Sequence, residues 1–334
     1  MRVSEIDYNL PARLIAQEPL ADRSASRMLV LARATGKIEH RKFTDIVGLL
    51  NPGDLLVLND TRVSAVRLRG RRMTGGAVEA LIMRPLGDGC FEAMLKPSKR
   101  LKPGITIQFD AGIEAEVVEG GDEITRVLRF PPGSDQKVLQ SGSVPLPPYI
   151  HRDLEDAGRY QTVYNRSPGS AAAPTAGLHF TPSILESLKR KGVDTAFVTL
   201  SVGLDTFRPL TVDDPQDHRM HGEECTVSGD TARKVAECNG RVIAVGTTSA
   251  RTLESHAIGK RLVEPSTAKT KIFIRPGYDF QVIDGLLTNF HMPRTTMLLM
   301  LAALVGIKPL MQAYAEAVQH EYRFLSFGDA MLVI

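Results

Sequence analysis

Cysteine is scarce in this chain. Cys90, Cys225 and Cys238 are too few and too irregularly spaced for a disulfide framework or a four-thiolate metal site, so a reducing cytoplasm is the expected setting. Long apolar runs are missing as well. The greasiest stretch, Met297 to Val305, has about half the length a membrane span requires. The N-terminal Met1-Arg-Val-Ser-Glu-Ile-Asp7 lacks the apolar core of a signal peptide. A cytoplasmic protein without a membrane partner is expected. An excess of one charge sign is also lacking: the formal net charge is only +3, so any nucleic-acid contact must come from a local patch.

Two further absences narrow the chemistry. His218-Arg-Met-His-Gly-Glu-Glu-Cys225 gathers metal-capable side chains, but its histidines are three apart, without the zincin spacing or a second cluster to close a tetrahedral site. No metal is expected there. Gly246-Thr-Thr-Ser-Ala-Arg-Thr-Leu-Glu254 follows the apolar Arg241-Val-Ile-Ala-Val245 like a phosphate-cradling corner, yet it has one glycine and no P-loop lysine. A dinucleotide or nucleoside-triphosphate site is therefore poorly supported.

What is present is a chain of 334 residues, 43% hydrophobic, long enough for two domains and a sizeable core. Its central stretch is Ser170-Ala-Ala-Ala-Pro-Thr-Ala-Gly-Leu-His-Phe-Thr-Pro182, poor in bulky side chains, which lets a flat ligand approach the backbone. Gly177 tolerates positive φ and Pro174 fixes its own, so a rigid loop is expected. Thr181-Pro182 reads as an N-cap and first helical residue, a positive dipole end suited to a polar or anionic group. An ordinary strand-to-helix turn with a satisfied, half-buried His179 explains the same residues.

Along the chain, Leu10 to Arg27 is too rich in breakers for one helix. Met28–Ala32 and Lys37–Phe43 read as a hairpin around Thr35-Gly36, followed by a short helix from Asp45 to Leu50. Leu55–Leu58 has the character of a buried strand, with Asn59-Asp-Thr-Arg62 at its exit, where α/β sheets place ligand contacts. Helices are expected over Pro182–Lys191, with Gly192 as the stop, from Pro293 through Val305, and from about Pro309 to His320. Gly203 to Pro209 reads as a strand-end loop carrying Asp205 and Arg208.

Between about Arg62 and Tyr149 the texture changes to six short strands with Gly and Pro punctuation: Val63–Leu68, Val78–Arg84, Cys90–Leu95, Ile105–Phe109, Ala115–Glu119 and Ile124–Phe130. That spacing suggests a small barrel or sandwich. Arg62, Arg67, Arg69, Arg71 and Arg72 cluster without a carboxylate, and in a strand Arg67, Arg69 and Arg71 share a face. Lys96, Lys99, Arg100 and Lys102 follow. Such a cluster favours a phosphate backbone, with strongly salt-dependent binding. A solvated, solubilising face is the alternative.

These motifs add up to a resemblance. Leu20-Ala-Asp-Arg-Ser-Ala-Ser-Arg27, Asn59-Asp-Thr-Arg62, Pro147-Pro-Tyr-Ile150, Tyr160-Gln-Thr-Val-Tyr164, Ala173 to Thr181, Met220-His-Gly-Glu223, Gly246 to Glu254, Thr288-Asn-Phe-His291 and Tyr322 to Met331 resemble the S-adenosylmethionine:tRNA ribosyltransferase-isomerases of queuosine biosynthesis, nearly end to end. Ala268 to Gly277 departs from that pattern in being more basic. The resemblance implies an α/β domain formed by residues 1–61 and 150–334, with a β-barrel domain inserted at 62–149. It implies that S-adenosylmethionine is consumed as a substrate, with no further cofactor. Its ribosyl part would be isomerised onto the aminomethyl-deazaguanine at the wobble position of a tRNA anticodon stem-loop, giving epoxyqueuosine, adenine and methionine. A monomer is expected.

That chemistry requires a base for the ribose 5′ carbon, an acid for the departing adenine, and polar partners for the methionine tail. His179 is the leading base or proton shuttle, with His291 and His221 as competitors and Glu254 or Asp329 as carboxylate partners, all near strand exits. Thr175, Gly177, Thr247, Thr248 and Ser249 are candidates for ligand contact. Asp22, Arg23, Arg27, Asp60 and Arg62 are candidates for substrate, the arginines holding either RNA or the methionine carboxylate. A methyltransferase would share the donor, but the glycine-rich first loop is missing. A non-catalytic RNA-binding module would leave the small-residue loop without a purpose.

Overall fold

The structure is a computed structural model that describes residues 1–110, 112–121, 125–203, 209–218, 220 and 222–334. His221, Asp205 and Arg208 lie outside the described residues. The chain divides into an α/β unit, Met1–Thr61, Pro147–Ser167 and Ala173–Ile334, and a barrel unit, Arg62–Leu146 with Pro168–Ala172.

The α/β unit is organised on a nine-stranded sheet in the order Thr267–Thr270, Glu223–Val227, Asp194–Leu200, Leu55–Asn59, Val242–Val245, Gly285–Asn289, Ala330–Val333, Arg27–Leu31, Ile38–Lys42. The four strands from Asp194–Leu200 to Gly285–Asn289 run parallel. Ala330–Val333 is antiparallel to Gly285–Asn289 and parallel to Arg27–Leu31, which also pairs with Ile38–Lys42 as the expected hairpin. Every residue of Leu55–Asn59 is buried, as a parallel strand covered on both faces requires.

Alternation sends its residues to two cores. Leu55 and Val57 pack with Ala250, Leu253, Leu298 and Leu301 on one face, whereas Leu56 and Leu58 pack with Phe43, Phe180, Ile184 and Leu188 on the other. Truncating one of these leucines to alanine would cost about 2–5 kcal/mol, depending on how far the site collapses.

The helix Pro182–Lys191 starts where expected: Thr181 Oγ1 accepts the Ile184 N–H at 3.2 Å, and Gly192 ends it with φ of 87°. The apolar helix begins later than expected, over Thr296–Val305, because Thr295 Oγ1 caps it by accepting the Leu298 N–H, leaving Pro293 in the preceding turn. The next helix, Ile307–Gln319, is bent from it by 117°. Among the described residues no single helix is long and apolar enough to cross a membrane.

The barrel unit closes six strands in the order Thr125–Arg129, Cys90–Lys96, Ala77–Gly87, Val66–Arg72, Thr106–Phe109, Ile113–Val118. All neighbours with resolved register are antiparallel, and Phe91, Phe109, Leu128 and Phe130 fill the interior. The first strand is displaced from the expected Val63–Leu68: Thr61–Val63 is a separate short strand, and Val66–Arg72 enters the barrel.

Candidate active site

Because four neighbouring strands are parallel, Leu200, Asn59, Val245 and Asn289 end at one edge of the sheet. A cleft opens beyond that edge, lined by Thr175, Ala176, Gly246, Thr247, Thr248, Thr288, Asn289 and His291, with Tyr149, Met297 and Ser326 among its other walls. Ligands of α/β sheets bind beyond strand carboxyl ends, which makes this cleft the candidate ligand site. Gly246, at φ of 87°, turns the chain from Val242–Val245 into the helix Thr247–Ser255, so the helix N-terminus at the cleft belongs to that segment. Thr181 and Pro182, expected to supply it, do not line the cleft.

A polar chain crosses the wall. Thr175 Oγ1 donates to Asn289 Oδ1 at 2.8 Å, Asn289 Nδ2 faces His179 Nε2 at 3.3 Å, and His179 Nδ1 lies 2.8 Å from Ser26 Oγ. With the amide donating to Nε2, the imidazole proton sits on Nδ1, an assignment fixed by the network. Burial holds His179 neutral, with its pKa lowered to about 4. His179 lines a smaller pocket together with Arg23, Arg159, Ser26 and Phe327, so it reaches the main cleft through Asn289. His291 lines the main cleft itself, with Nε2 2.8 Å from Thr288 Oγ1 and a pKa pushed down to about 3 by burial. The Tyr314 hydroxyl accepts the His291 N–H at 3.0 Å, anchoring that residue from behind.

Gly177 serves a different purpose from the one expected. It does not have positive φ; instead a Cβ there would collide with the Tyr164 hydroxyl and lie 2.9 Å from Thr162 Cγ2. Close packing demands the glycine, and the residue sits in the 3₁₀ turn Thr175–His179 behind the cleft wall.

The carboxylates are occupied. Glu254 accepts from the Tyr278 hydroxyl at 3.0 Å and from the N–H groups of Gln281, Val282 and Ile283 at 2.9, 3.0 and 3.0 Å, holding a loop away from the cleft lining. Asp329 accepts the N–H groups of Arg27 and Arg323 at 2.9 and 2.8 Å and pairs with the Arg27 guanidinium, which also lies 4.2 Å over the Tyr322 ring. Asp22 caps the turn at Ser24, whose hydrogen bonds lower its pKa. Asp60 accepts from Thr199 at 2.7 Å and pairs with Arg166 at 3.1 Å. Ser249, fully buried, donates back to the Val245 carbonyl at 2.8 Å. Of the expected ligand contacts, Thr175, Thr247 and Thr248 line the main cleft and Arg23 the smaller cavity.

In the barrel unit, strand alternation places Arg69 and Arg71 outward and Leu68 and Gly70 inward, with Arg67 on the outward face but half-buried, bonded to the Leu146 carbonyl at 2.9 Å. Arg72 folds over Gly76. Arg62, Lys96, Lys99, Arg100 and Lys102 are exposed.

Several cleft residues lie inside the motifs that carry the resemblance but were not among the expected site residues. Asn289 and Thr288 stand at a strand exit, the signal that flagged Asn59, whereas Tyr149 and Ser326, joined by a 2.7 Å hydrogen bond, are too distant in sequence to be paired. In the segment from His218, whose His221 lies outside the described residues, His218 packs on Phe273, Glu223 pairs with Arg251, and Cys225 faces Ala268 and Ser255. Elsewhere, His40, Glu316 and His320 hold metal-capable atoms within 4.8 Å of one another, with the Glu316 carboxylate 3.5 and 3.3 Å from the two rings.

The parallel-sheet cleft, with its hydroxyls, amide and the His291 imidazole, defines an α/β protein with a polar cleft at its strand ends, and the same chain carries a basic-faced barrel. The family model described as "Queuosine biosynthesis protein" matches residues 3–333. Relatives named S-adenosylmethionine:tRNA ribosyltransferase-isomerase from Thermotoga petrophila and Heliobacterium modesticaldum are 47% and 49% identical over 339 and 344 residues, each comparison covering 100% of both chains. The crystal structure of S-adenosylmethionine tRNA ribosyltransferase from Thermotoga maritima superposes with a TM-score of 0.57 at 39% identity, covering 99% of this chain and 100% of that one. The chain belongs to this queuosine-biosynthesis family of enzymes.

Proposed function

We propose that this chain transfers and isomerises the ribosyl part of S-adenosylmethionine onto the aminomethyl-deazaguanine at the tRNA wobble position, giving epoxyqueuosine, adenine and methionine. The observation that carries the reading is full-length identity of 47% and 49% to relatives bearing the corresponding name. The main cleft suits the nucleoside, with Thr175, Thr247 and Thr248 as hydroxyl partners. The sulfonium acidifies the ribose 5′ carbon, and a neutral imidazole can accept that proton without first losing one of its own.

His291 is the better placed acceptor because it lines the cleft, whereas both ring nitrogens of His179 are engaged by Asn289 and Ser26. His179 then acts as a positioning residue for Asn289. The outward cations of the barrel bind the anticodon stem-loop. The enzyme works as a cytoplasmic monomer, and S-adenosylmethionine is its only cosubstrate.

Incubation with S-adenosylmethionine and an anticodon stem-loop bearing the aminomethyl-deazaguanine, followed by mass analysis, tests the reading. Epoxyqueuosine with free adenine and methionine is expected. S-adenosylhomocysteine as the coproduct would make the protein a methyltransferase and overturn it. His291→Gln should abolish adenine release in a single turnover, while His179→Gln should weaken nucleoside binding more than it slows the step.

A further inference from the structure

A second, narrow pocket adjoins the main cleft, sharing Thr247, Thr248 and Met297 with it. Among the described residues, its remaining wall is mostly apolar, from Met220, Ile272, Phe273, Ile274 and Met300, with Thr296 as a polar neighbour and one charged side chain. That charged side chain is Arg251, 8% exposed, on the helix Thr247–Ser255. One edge of its guanidinium is taken: Nη1 pairs with the Glu223 carboxylate, which is equally buried. The other edge is not, since Nε and Nη2 are buried with no hydrogen-bond partner among the described residues. Buried donors are nearly always satisfied, and a vacant Nε/Nη2 edge matches the two oxygens of a carboxylate in a parallel, bidentate pair.

Resting on the ribosyltransferase reading, we propose that Arg251 binds the α-carboxylate of the methionine part of S-adenosylmethionine. The nucleoside occupies the main cleft and the amino-acid tail extends past Thr247 and Thr248 into the adjoining cavity. The arrangement assigns each feature a task. Glu223 holds the guanidinium in one orientation from the far side, the methionine and phenylalanine walls receive the aliphatic carbons, and the vacant edge supplies the only cationic partner among the described lining residues. Arg251 belongs to none of the residues singled out in the sequence, where it reads as one position within a hydroxyl-rich corner.

The test measures calorimetric affinities of the full-length enzyme for S-adenosylmethionine, for its decarboxylated analogue and for 5′-methylthioadenosine, which lacks the amino-acid tail. The wild type should prefer S-adenosylmethionine over the decarboxylated analogue by roughly 10- to 100-fold, the worth of a charge-assisted pair. Arg251→Gln should erase that preference while leaving 5′-methylthioadenosine binding unchanged. Because this substitution strands Glu223, the Arg251→Gln/Glu223→Gln pair, which removes both buried charges, is measured beside it. A wild type indifferent to the carboxylate, or a folded variant that still prefers S-adenosylmethionine, would overturn the assignment of Arg251 alone. Failure of the wild type to bind any of the three nucleosides would overturn the ribosyltransferase reading with it.

Discussion

Two neutral histidines buried in one unit make its stability a function of pH in a window where carboxylates are silent. The pKa values of His179 and His291 are lowered from 6.5 to about 4 and about 3 by burial. A depressed folded-state pKa means the unfolded chain takes up the proton first, so stability is whole above pH 6.5 and is lost as pH falls toward the folded values. Integrating from pH 6.5 to 5.0 gives a loss on the order of 1–2 kcal/mol for each histidine, about 3 kcal/mol together, against a typical total of about 5–15 kcal/mol. At Asp54 burial pulls the pKa upward, but bonds from Arg241 and Asn51 outweigh it and leave it below 3.8, so its contribution is lost only under more acid conditions.

The assay is provided by composition. All seven tyrosines, Tyr8, Tyr149, Tyr160, Tyr164, Tyr278, Tyr314 and Tyr322, lie in the α/β unit, and the chain has no tryptophan. Tyrosine fluorescence during urea unfolding therefore follows that unit alone. Between pH 6.5 and 5.0 the wild type should lose about 3 kcal/mol through these two groups, His179→Gln and His291→Gln each about half as much, and the double variant close to none. If the double variant retained the full pH dependence, the assignment of both imidazoles as neutral in the folded state would be wrong.

Further outcomes follow from packing and charge. Gly177→Ala should cost about 1–3 kcal/mol by overpacking against Tyr164 and Thr162, visible as a lower Tm, and Tyr164→Phe in the same chain should restore part of it by removing the obstructing hydroxyl. Replacing Lys96, Lys99, Arg100 and Lys102 with alanine should weaken tRNA binding and flatten its log–log salt dependence by about 0.7–0.9 for each phosphate that these side chains neutralise. An unchanged slope would remove that loop from the RNA surface.

Local signals carried much of the architecture. The hairpin at Met28, the buried run at Leu55, the Thr181 cap with Gly192 and the six barrel runs each express a short-range rule of period, turn or capping. Where two such rules competed, the sequence was ambiguous: Pro293 is an acceptable first helical residue, but Thr295 offers a hydroxyl for the cap and the helix starts there. The site was legible only in part for a related reason. Glycine at position 177 signals either positive φ or close approach, and nothing local distinguishes them; the partner is the Tyr164 ring. Glu254 and Asp329 look available in a sequence because the N–H groups that consume them come from Gln281, Val282, Ile283, Arg27 and Arg323, brought there by the fold.

The strand Ala330–Val333 lies between Gly285–Asn289 and Arg27–Leu31, inside the sheet. On the ribosome the first hairpin therefore emerges long before its permanent neighbour is made. Until translation passes Val333, the hairpin has an unfilled backbone ladder on the side of Arg27–Leu31, and the segments carrying Ser26 and Asn289 are not yet held across that strand. Assembly of the histidine network therefore waits until that strand has been made, and a nascent chain stopped short of it would present an open, apolar edge to chaperones.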